Sequence, residues 1–163
     1  MHAQELRKKT CFFTGHRNIP SGKEKDLAVQ TAREIYRLIT EHDVQFFGVG
    51  GAVGYDTLVA KVLFRIRERA FPHIKVILVY PFDGFTSRWS PQQQADYAAL
   101  LPKYDKIVCV CDKPSREAYL ARNRHLVNAS AYCIAYCTQR HGGTAYTVDY
   151  AKTQGVTIIG VGE

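Results

Sequence analysis

The chain has 163 residues, of which 46% are hydrophobic, 12% aromatic and 23% charged. A chain of this length fits one domain, and its hydrophobic content excludes general intrinsic disorder. Lysine and arginine outnumber aspartate and glutamate by 22 to 15, so the formal net charge is +7. The positive charge favours an anionic partner without specifying which anion.

No apolar run reaches the roughly 18 residues that a membrane helix needs. Met1–Lys9 is a short polar extension without the apolar core of a signal peptide. We therefore expect a cytoplasmic protein with no membrane partner and a single domain over residues 1–163. Its cysteines are expected as free thiols. For the four cysteines on the fourth and fifth predicted strands, core packing is favoured over a zinc site. These four are Cys109, Cys111, Cys133 and Cys137. The histidines show no metal-ligand spacing either, so no metal is predicted.

Six short runs rich in β-branched, aromatic and other apolar residues predict the strands of one sheet. They are Thr10–Thr14, Val44–Val49, Ile74–Tyr80, Lys106–Val110, Tyr132–Cys137 and Val156–Val161. Several, including the segment Val76–Val79, are continuously apolar rather than alternating. Such runs are typical of strands that are covered on both faces in a parallel sheet.

Helix signals separate these strands. Ser90 is followed by Pro91 at the first helical position and by Gln93 three residues after the cap, which is a helix-start pattern. Five helices are predicted. The first starts at the Ser21–Glu24 capping-box pattern and the third starts at Ser90, whereas the second, fourth and fifth span about Ala52–Ala70, Ser115–Asn128 and Thr144–Gln154. Because each parallel crossover needs a returning helix, the alternation predicts an α/β fold. We expect a single Rossmann-like three-layer domain with a mainly parallel sheet of about six strands.

Three predicted strand-to-helix loops contain glycine, and in an open parallel sheet such loops form the ligand-binding edge. The first loop reads Thr14-Gly15-His16-Arg17. Its glycine permits close approach of an anion, and its arginine can hold a phosphate or carboxylate through two hydrogen bonds. An exposed polar turn explains the same residues equally well.

The second loop leads into a helix and reads Gly50-Gly51-Ala52-Val53-Gly54-Tyr55-Asp56. Successive N–H groups at a helix N-terminus favour an anion. The loop lacks the dinucleotide-binding pattern, because Val53 stands where that pattern requires a glycine. Asp56 can bind a ribose hydroxyl, although favouring the helix dipole is the slightly preferred role. We expect Gly51 on a surface loop outside the packed core, where a substitution costs little stability.

The third loop precedes the last helix and reads His141-Gly142-Gly143-Thr144. Thr144 has the side chain of an N-cap, and Thr147 lies one turn further on. On the preceding helix, Arg122 and Asn123 are the candidates that face the ligand edge. Three glycine loops after three parallel strands open on the same edge, which favours one shared site.

These segments together resemble the SLOG superfamily of Rossmann-like domains, and most closely its YpsA-like members, a domain of unknown function. The resemblance spans Thr10 to Gly160 and is carried by the three glycine loops, Trp89, Arg122-Asn123, Thr147 and Ala151. The stretch from Arg122 through the last glycine loop is also similar to DNA-processing protein A, a single-strand DNA binder. The same stretch resembles Lonely Guy enzymes, which hydrolyse nucleoside monophosphates to base and ribose phosphate.

One departure from the Lonely Guy pattern bears on catalysis. Aligning Gly143-Thr144 with that family's glycine and threonine places Thr147 at the position of the catalytic glutamate, whereas aligning both glycines places Asp149 there. The first alignment is favoured because it preserves the spacing to Gly155 seen in the DNA-binding relative. Threonine cannot replace a carboxylate at an oxocarbenium-like centre. The resemblance therefore implies a nucleotide pocket without the usual glycosidase carboxylate.

The sequence thus predicts binding or sensing of a small nucleotide or nucleotide-derived phosphate ligand, with no required cofactor and with enzymatic activity not favoured. The predicted binding residues are Thr14, Gly15, His16, Arg17, Gly50, Gly51, Ala52, Gly54, Asp56, Arg122, Asn123, Gly142, Gly143, Thr144 and Thr147. One alternative is a nucleotide N-glycosidase or phosphohydrolase that uses Asp56 or Asp149. A second is single-stranded nucleic-acid binding along Lys61, Arg65 and Arg69, for which a solvated helix face is the commoner explanation. Homo-oligomerisation stays open.

Overall fold

Strand β1 (Thr10–Gly15) shows why this sequence forms a sheet with helices on both faces. Cys11 and Phe13 pack into one hydrophobic cluster, and Phe12 packs into a second cluster on the opposite face. All three side chains are buried. Because side chains alternate along a strand, only an uninterrupted apolar run can serve both clusters.

The computed structural model describes residues 2–162. After β1, its strands are β2 (Phe46–Val49), β3 (Lys75–Tyr80), β4 (Lys106–Cys109), β5 (Tyr132–Tyr136) and β6 (Thr157–Gly160). Its helices are α1 (Ala3–Lys8), α2 (Glu24–His42), α3 (Tyr55–Arg69), α4 (Pro91–Leu100), α5 (Arg116–Asn128) and α6 (Gly143–Thr153), with a 3-10 turn at Leu101–Lys103. Helix α1 lies within the predicted polar extension, whose first residue, Met1, is outside the described residues.

The six strands form one sheet in the order β4-β3-β2-β1-β5-β6, and every neighbouring pair is parallel. Residues of α2 and α3 belong to the cluster on one face, and residues of α5 and α6 belong to the cluster on the other. The predicted α/β class and parallel three-layer sheet are confirmed. Since the chain adds strands first on one side of β1 and then on the other, the order reverses between β1 and β5. A reversal of this kind opens a crevice at the carboxyl ends of the two strands.

Of three predicted helix caps, one agrees with the structure and two differ from it. The Ser90 capping box is present, with Gln93 N donating to Ser90 Oγ at 3.2 Å. The Ser21 capping box is wrong, because a turn in which Lys23 N donates to Pro20 O delays the helix. Thr144 is likewise not an N-cap. Helix α6 begins at Gly143, and its N-cap is Gly142, two residues before Thr144.

The cysteines follow the predicted core packing only in part. Cys11 and Cys133 are buried, whereas Cys111 and Cys137 are half-buried and Cys109 is exposed. Cys109 lies on β4, which is an edge strand, so one side of it faces no neighbour. Within residues 2–162, no helix combines the length and the apolar character that crossing a bilayer requires.

Candidate functional site

A cavity of about 310 Å³ lies at the crevice between β1 and β5. The loops after β1, β2 and β5 and one face of α5 line it. The lining residues are Phe13, Thr14, Gly15, His16, Arg17, Gly50, Ala52, Asp56, Tyr119, Leu120, Arg122, Asn123, Leu126, Gln139, His141, Gly142, Gly143 and Thr144. The three glycine loops therefore meet at one cavity.

All predicted binding residues line this cavity except Gly51, Gly54 and Thr147. Thr147 is 1% exposed, and its hydroxyl donates to Gly143 O at 2.9 Å, which braces the first turn of α6. Asp149 is exposed on α6 and does not line the cavity.

Several lining residues are absent from the sequence-based prediction: Phe13, Tyr119, Leu120, Leu126, Gln139 and His141. Tyr119 lies three residues before Arg122 on α5, and Leu126 lies four residues after it. Residues at these spacings share one helix face, so helical periodicity could have identified both from Arg122.

The β1 and β2 loops are fastened to each other by backbone contacts. Tyr55 N donates to His16 O at 3.1 Å. Gly54 has a φ of +80°, and a Cβ on it would collide with the backbone carbonyl of Arg17. Ala52 N donates to Asp56 Oδ2 at 3.1 Å. Two amides of the predicted phosphate-binding loop are therefore already used inside the protein.

Gly51 is buried rather than placed on a surface loop, so that expectation is wrong. Its φ is +73°, and a Cβ on it would lie 2.7 Å from Leu78 Cδ1 and 3.3 Å from Tyr97. The turn folds back onto β3 and α4 instead of projecting into solvent. A side chain at this position would disturb the core as well as any ligand.

Arg122 and Asp56 face each other across Gly50 in the floor of the cavity. A Cβ on Gly50 would lie 2.7 Å from Arg122 Nη1 and 3.0 Å from Asp56 Oδ2. Arg122 is only 6% exposed, donates from Nε to Asn123 Oδ1 at 2.7 Å, and donates from Nη1 to Gly50 O. Burial raises the pKa of the Asp56 carboxyl, and the positive charge of Arg122 opposes that rise. Both side chains hold the β2 loop in place.

His16 connects the two loops on either side of the crevice. Its Nε2 accepts a hydrogen bond from Thr138 N at 2.8 Å, and its ring packs edge-on against Tyr136 with the ring centroids 5.1 Å apart. A ring nitrogen that accepts carries no proton, so this histidine is neutral with its proton on Nδ1. Burial lowers the pKa of His16, which favours the same neutral form.

The N-terminus of α6 presents backbone donors at the cavity. Its N-cap, Gly142, supplies no side chain, and the first amides of a helix have no intrahelical acceptor. A Cβ on Gly142 or Gly143 would meet no atom within 4 Å. Neither internal packing nor a left-handed backbone requires glycine at Gly143, and without a side chain there the start of the helix is accessible from the cavity.

Arg17 is the exposed cation of this cavity. Within residues 2–162, no carboxylate oxygen lies within 4.0 Å of its guanidinium, which stacks 5.7 Å from the Tyr119 ring centre. In the same described range, no three His, Cys, Asp or Glu side chains are grouped as metal ligands. The cavity therefore combines one exposed cation, a helix N-terminus and an aromatic side chain.

The strand order and the glycine-lined crevice define a Rossmann-like domain. Residues 11–157 match the model of the YspA SLOG family (YpsA), and the chain belongs to that family. The resemblance predicted from the motifs is thus confirmed.

Relatives of similar size carry no assigned activity in their names. The chain is 30% identical over 142 residues to the uncharacterized SPbeta prophage-derived protein YoqJ of Bacillus subtilis, covering 80% of each chain. It is 27% identical over 126 residues to a UPF0398 protein of Shouchella clausii, covering 76% of this chain and 67% of the relative.

Two solved structures share the fold. DNA processing protein A from Streptococcus pneumoniae superposes with a TM-score of 0.63 at 14% identity, over 95% of this chain and 50% of that protein. The Helicobacter pylori protein of the same name, described for its single-stranded DNA binding mode, gives a TM-score of 0.64 at 18% identity, over 96% of this chain and 67% of that one. This chain spans about half the length of the Streptococcus protein.

Proposed function

We propose that the protein binds a nucleotide or nucleotide-derived phosphate ligand in the crevice between β1 and β5. The observation that carries the proposal is the start of α6, which has no side-chain cap and borders the same cavity as the unpaired guanidinium of Arg17. Backbone N–H groups at a helix start and a guanidinium both favour phosphate oxygens.

Each part of the ligand has a matching part of the cavity. The phosphate lies at Gly142–Thr144 and is neutralised by Arg17, because most other polar groups of the floor are engaged. Arg122 already donates to Gly50 and Asn123, and the Ala52 amide already donates to Asp56. The Tyr119 ring offers a flat surface for a base. A volume of about 310 Å³ suits one small nucleotide.

A thermal-shift panel of nucleoside monophosphates, diphosphates and triphosphates, nicotinamide dinucleotide and ADP-ribose tests the proposal. A ligand at about 100 times its dissociation constant adds roughly 2.7 kcal/mol of stability. Arg17→Ala should remove most of that shift, whereas the control Arg33→Ala, on an exposed residue of α2 outside the cavity, should retain it. A flat response across the whole panel refutes the proposal.

Gly143 permits a sharper test, because a side chain there meets open space. Gly143→Asp places a carboxylate at the first position of α6, where a negative charge favours the helix dipole and leaves stability unchanged or slightly higher. The same carboxylate repels a phosphate from the helix start. We expect at least about tenfold weaker binding with an undiminished melting temperature. Gly143→Ala is the steric control and should bind more tightly than Gly143→Asp.

A second candidate function is hydrolysis of a nucleotide. Among the described residues, Asp56 is the carboxylate that lines the cavity, and burial raises its pKa, as is common for catalytic acids. Release of free base from a nucleoside monophosphate, measured by chromatography and lost in Asp56→Asn with retained folding, would favour this function over simple binding.

Single-stranded nucleic-acid binding is a third candidate, supported by the fold shared with DNA processing protein A. Binding through several phosphates weakens steeply as salt increases. A titration with oligothymidylate at several salt concentrations tests it. Salt-dependent binding that is lost on Lys61→Glu and retained in Arg17→Ala would assign the interaction to α3 rather than to the crevice.

A further inference from the structure

A second cavity lies on the opposite face of the sheet from α5 and α6. It is a groove of about 940 Å³ that runs along α2 and α3 and is bounded by the β1 loop and α4. Its floor is apolar and consists of Ile19, Ala28, Val29, Ala32, Tyr36, Val53, Leu58, Val62 and Ile66. Ile19, Ala32, Leu58 and Val62 also pack against the main core, so the floor is firmly held.

The groove exposes apolar surface that the fold itself leaves uncovered. Val29 is 51% exposed and Tyr36 is 41% exposed, both on α2. Along α3 the lining runs from Thr57 to Arg69, which spans roughly 18 Å at 1.5 Å per residue. That length matches three turns of a helix lying in the groove.

The edge of the groove is strongly basic. Four exposed cations line it along α2 and α3, namely Lys25, Lys61, Arg65 and Arg69, and Arg17 lines it at the β1 loop. The acidic lining residues are Glu24 and Asp96. Within residues 2–162, none of the four cations has a carboxylate oxygen within 4.0 Å. The groove thus combines an apolar floor with an edge of unpaired positive charge.

We propose that this groove docks an acidic amphipathic helix of a partner protein. Apolar side chains at helical spacing would cover Val29, Tyr36 and the rest of the apolar floor, and glutamates or aspartates on either side would meet the four cations. The charge disfavours a second copy of the chain, because both copies carry a net charge of +7. Single-stranded nucleic acid fits less well, since it requires aromatic stacking surfaces and the groove lining contains one aromatic side chain, Tyr36.

The experiment uses a fluorescent peptide of about 14 residues with leucines at every third or fourth position and glutamates elsewhere. Its control is a scrambled peptide of the same composition, which keeps the charge and destroys the apolar stripe. Fluorescence anisotropy should show binding of the first peptide and at least about tenfold weaker binding of the second. Equal binding of the two peptides contradicts a groove-specific contact.

Two charge-reversal variants locate the binding. Lys61→Glu with Arg65→Glu should weaken peptide binding at least about tenfold. Lys113→Glu with Lys152→Glu changes the net charge equally on exposed residues outside the groove and should leave binding nearly unchanged. An equal loss in both double variants would show a general charge effect and overturn the proposal. Val29→Asp, at an exposed position, removes apolar contact without entering the core and should also weaken binding.

A competition experiment separates the two kinds of macromolecule. Oligothymidylate of about 20 nucleotides should not displace the peptide at equal concentration. Displacement, together with tighter binding of the oligonucleotide itself, would assign the groove to nucleic acid and overturn the proposal. The crevice between β1 and β5 is outside this test, so a failed nucleotide panel and a failed peptide assay are independent results.

Discussion

At the scale of single residues, Gly54 is the position where the backbone geometry is most demanding. Its φ is +80°, and a Cβ would collide with the Arg17 carbonyl. We expect Gly54→Ala to destabilise the protein by about 2–4 kcal/mol, because strain and collision add. Gly84→Ala is the matched control, since Gly84 has a φ of +84° with nothing within 4 Å of a Cβ, and should cost about 1 kcal/mol. Urea unfolding measures both, and equal costs would mean that the loop contact adds nothing.

Arg122 is the second residue on which the site depends. Its guanidinium holds Gly50 O and offsets the buried charge of Asp56, so Arg122→Met removes the larger of the two positive charges that favour that carboxylate, the other being Arg17. We expect a loss of about 3–5 kcal/mol in the free energy of unfolding. The double variant Arg122→Met with Asp56→Leu should cost clearly less than the sum of the single variants. Additive losses would show that the two side chains are not coupled.

At the scale of elements, the helix starts provide a paired test. Ser90 accepts from Gln93 N in a complete capping box, whereas Ser21 precedes a helix that no side chain caps. Ser90→Ala should therefore cost about 1 kcal/mol, or about 3 °C in melting temperature, and Ser21→Ala should cost little. The two serines look alike in the sequence, so the comparison isolates the contact from the motif. A similar loss in both would contradict the assigned caps.

The presence of each strand and of most helices could be predicted, because the spacing of apolar residues follows from which side chains are buried. The six strands lie within two residues of the predicted ends, since a run such as Val76–Val79 has no other stable environment. Helix starts were less predictable, because they depend on local turns. The turn from Pro20 to Lys23 and the left-handed Gly142 each shift a start that side-chain capping preferences alone would place elsewhere.

At the scale of the whole molecule, the sheet edge that holds the candidate site could be predicted from the sequence. Which polar groups at that edge are already hydrogen-bonded within the protein could not be predicted. Glycine loops after parallel strands must meet at one edge, so the contribution of Gly15, Gly50 and Gly142 to one cavity follows from topology. Which polar groups are already paired depends on contacts between distant segments. The Arg122 contact with Gly50 and the Tyr55 contact with His16 are of this kind, and they are the reason why the proposed phosphate site uses Arg17 and the start of α6.

Arg17 connects the two cavities, because it lines both the crevice and the groove. Its loop is fastened to the start of α3 through Gly54 and Tyr55, and α3 carries the basic edge of the groove. A ligand bound to Arg17, as proposed, would contact the segment that joins the two surfaces.

His16 joins the loops that follow β1 and β5, where the two halves of the sheet, β4-β3-β2-β1 and β5-β6, meet. Its Nε2 must stay unprotonated to accept from Thr138 N, and burial holds its pKa below the ordinary value of 6.5. The unfolded chain therefore binds the proton more readily than the folded one, so this contribution to stability is present above about pH 6.5 and is lost as the pH falls below it.

We expect the free energy of unfolding, from urea titrations between about pH 7.5 and 5, to decline more steeply in the unmodified protein than in His16→Gln. His141→Gln, on an exposed histidine of the same cavity, should keep the steep decline. Parallel curves for the unmodified protein and His16→Gln would show that this hydrogen bond does not control the acid response.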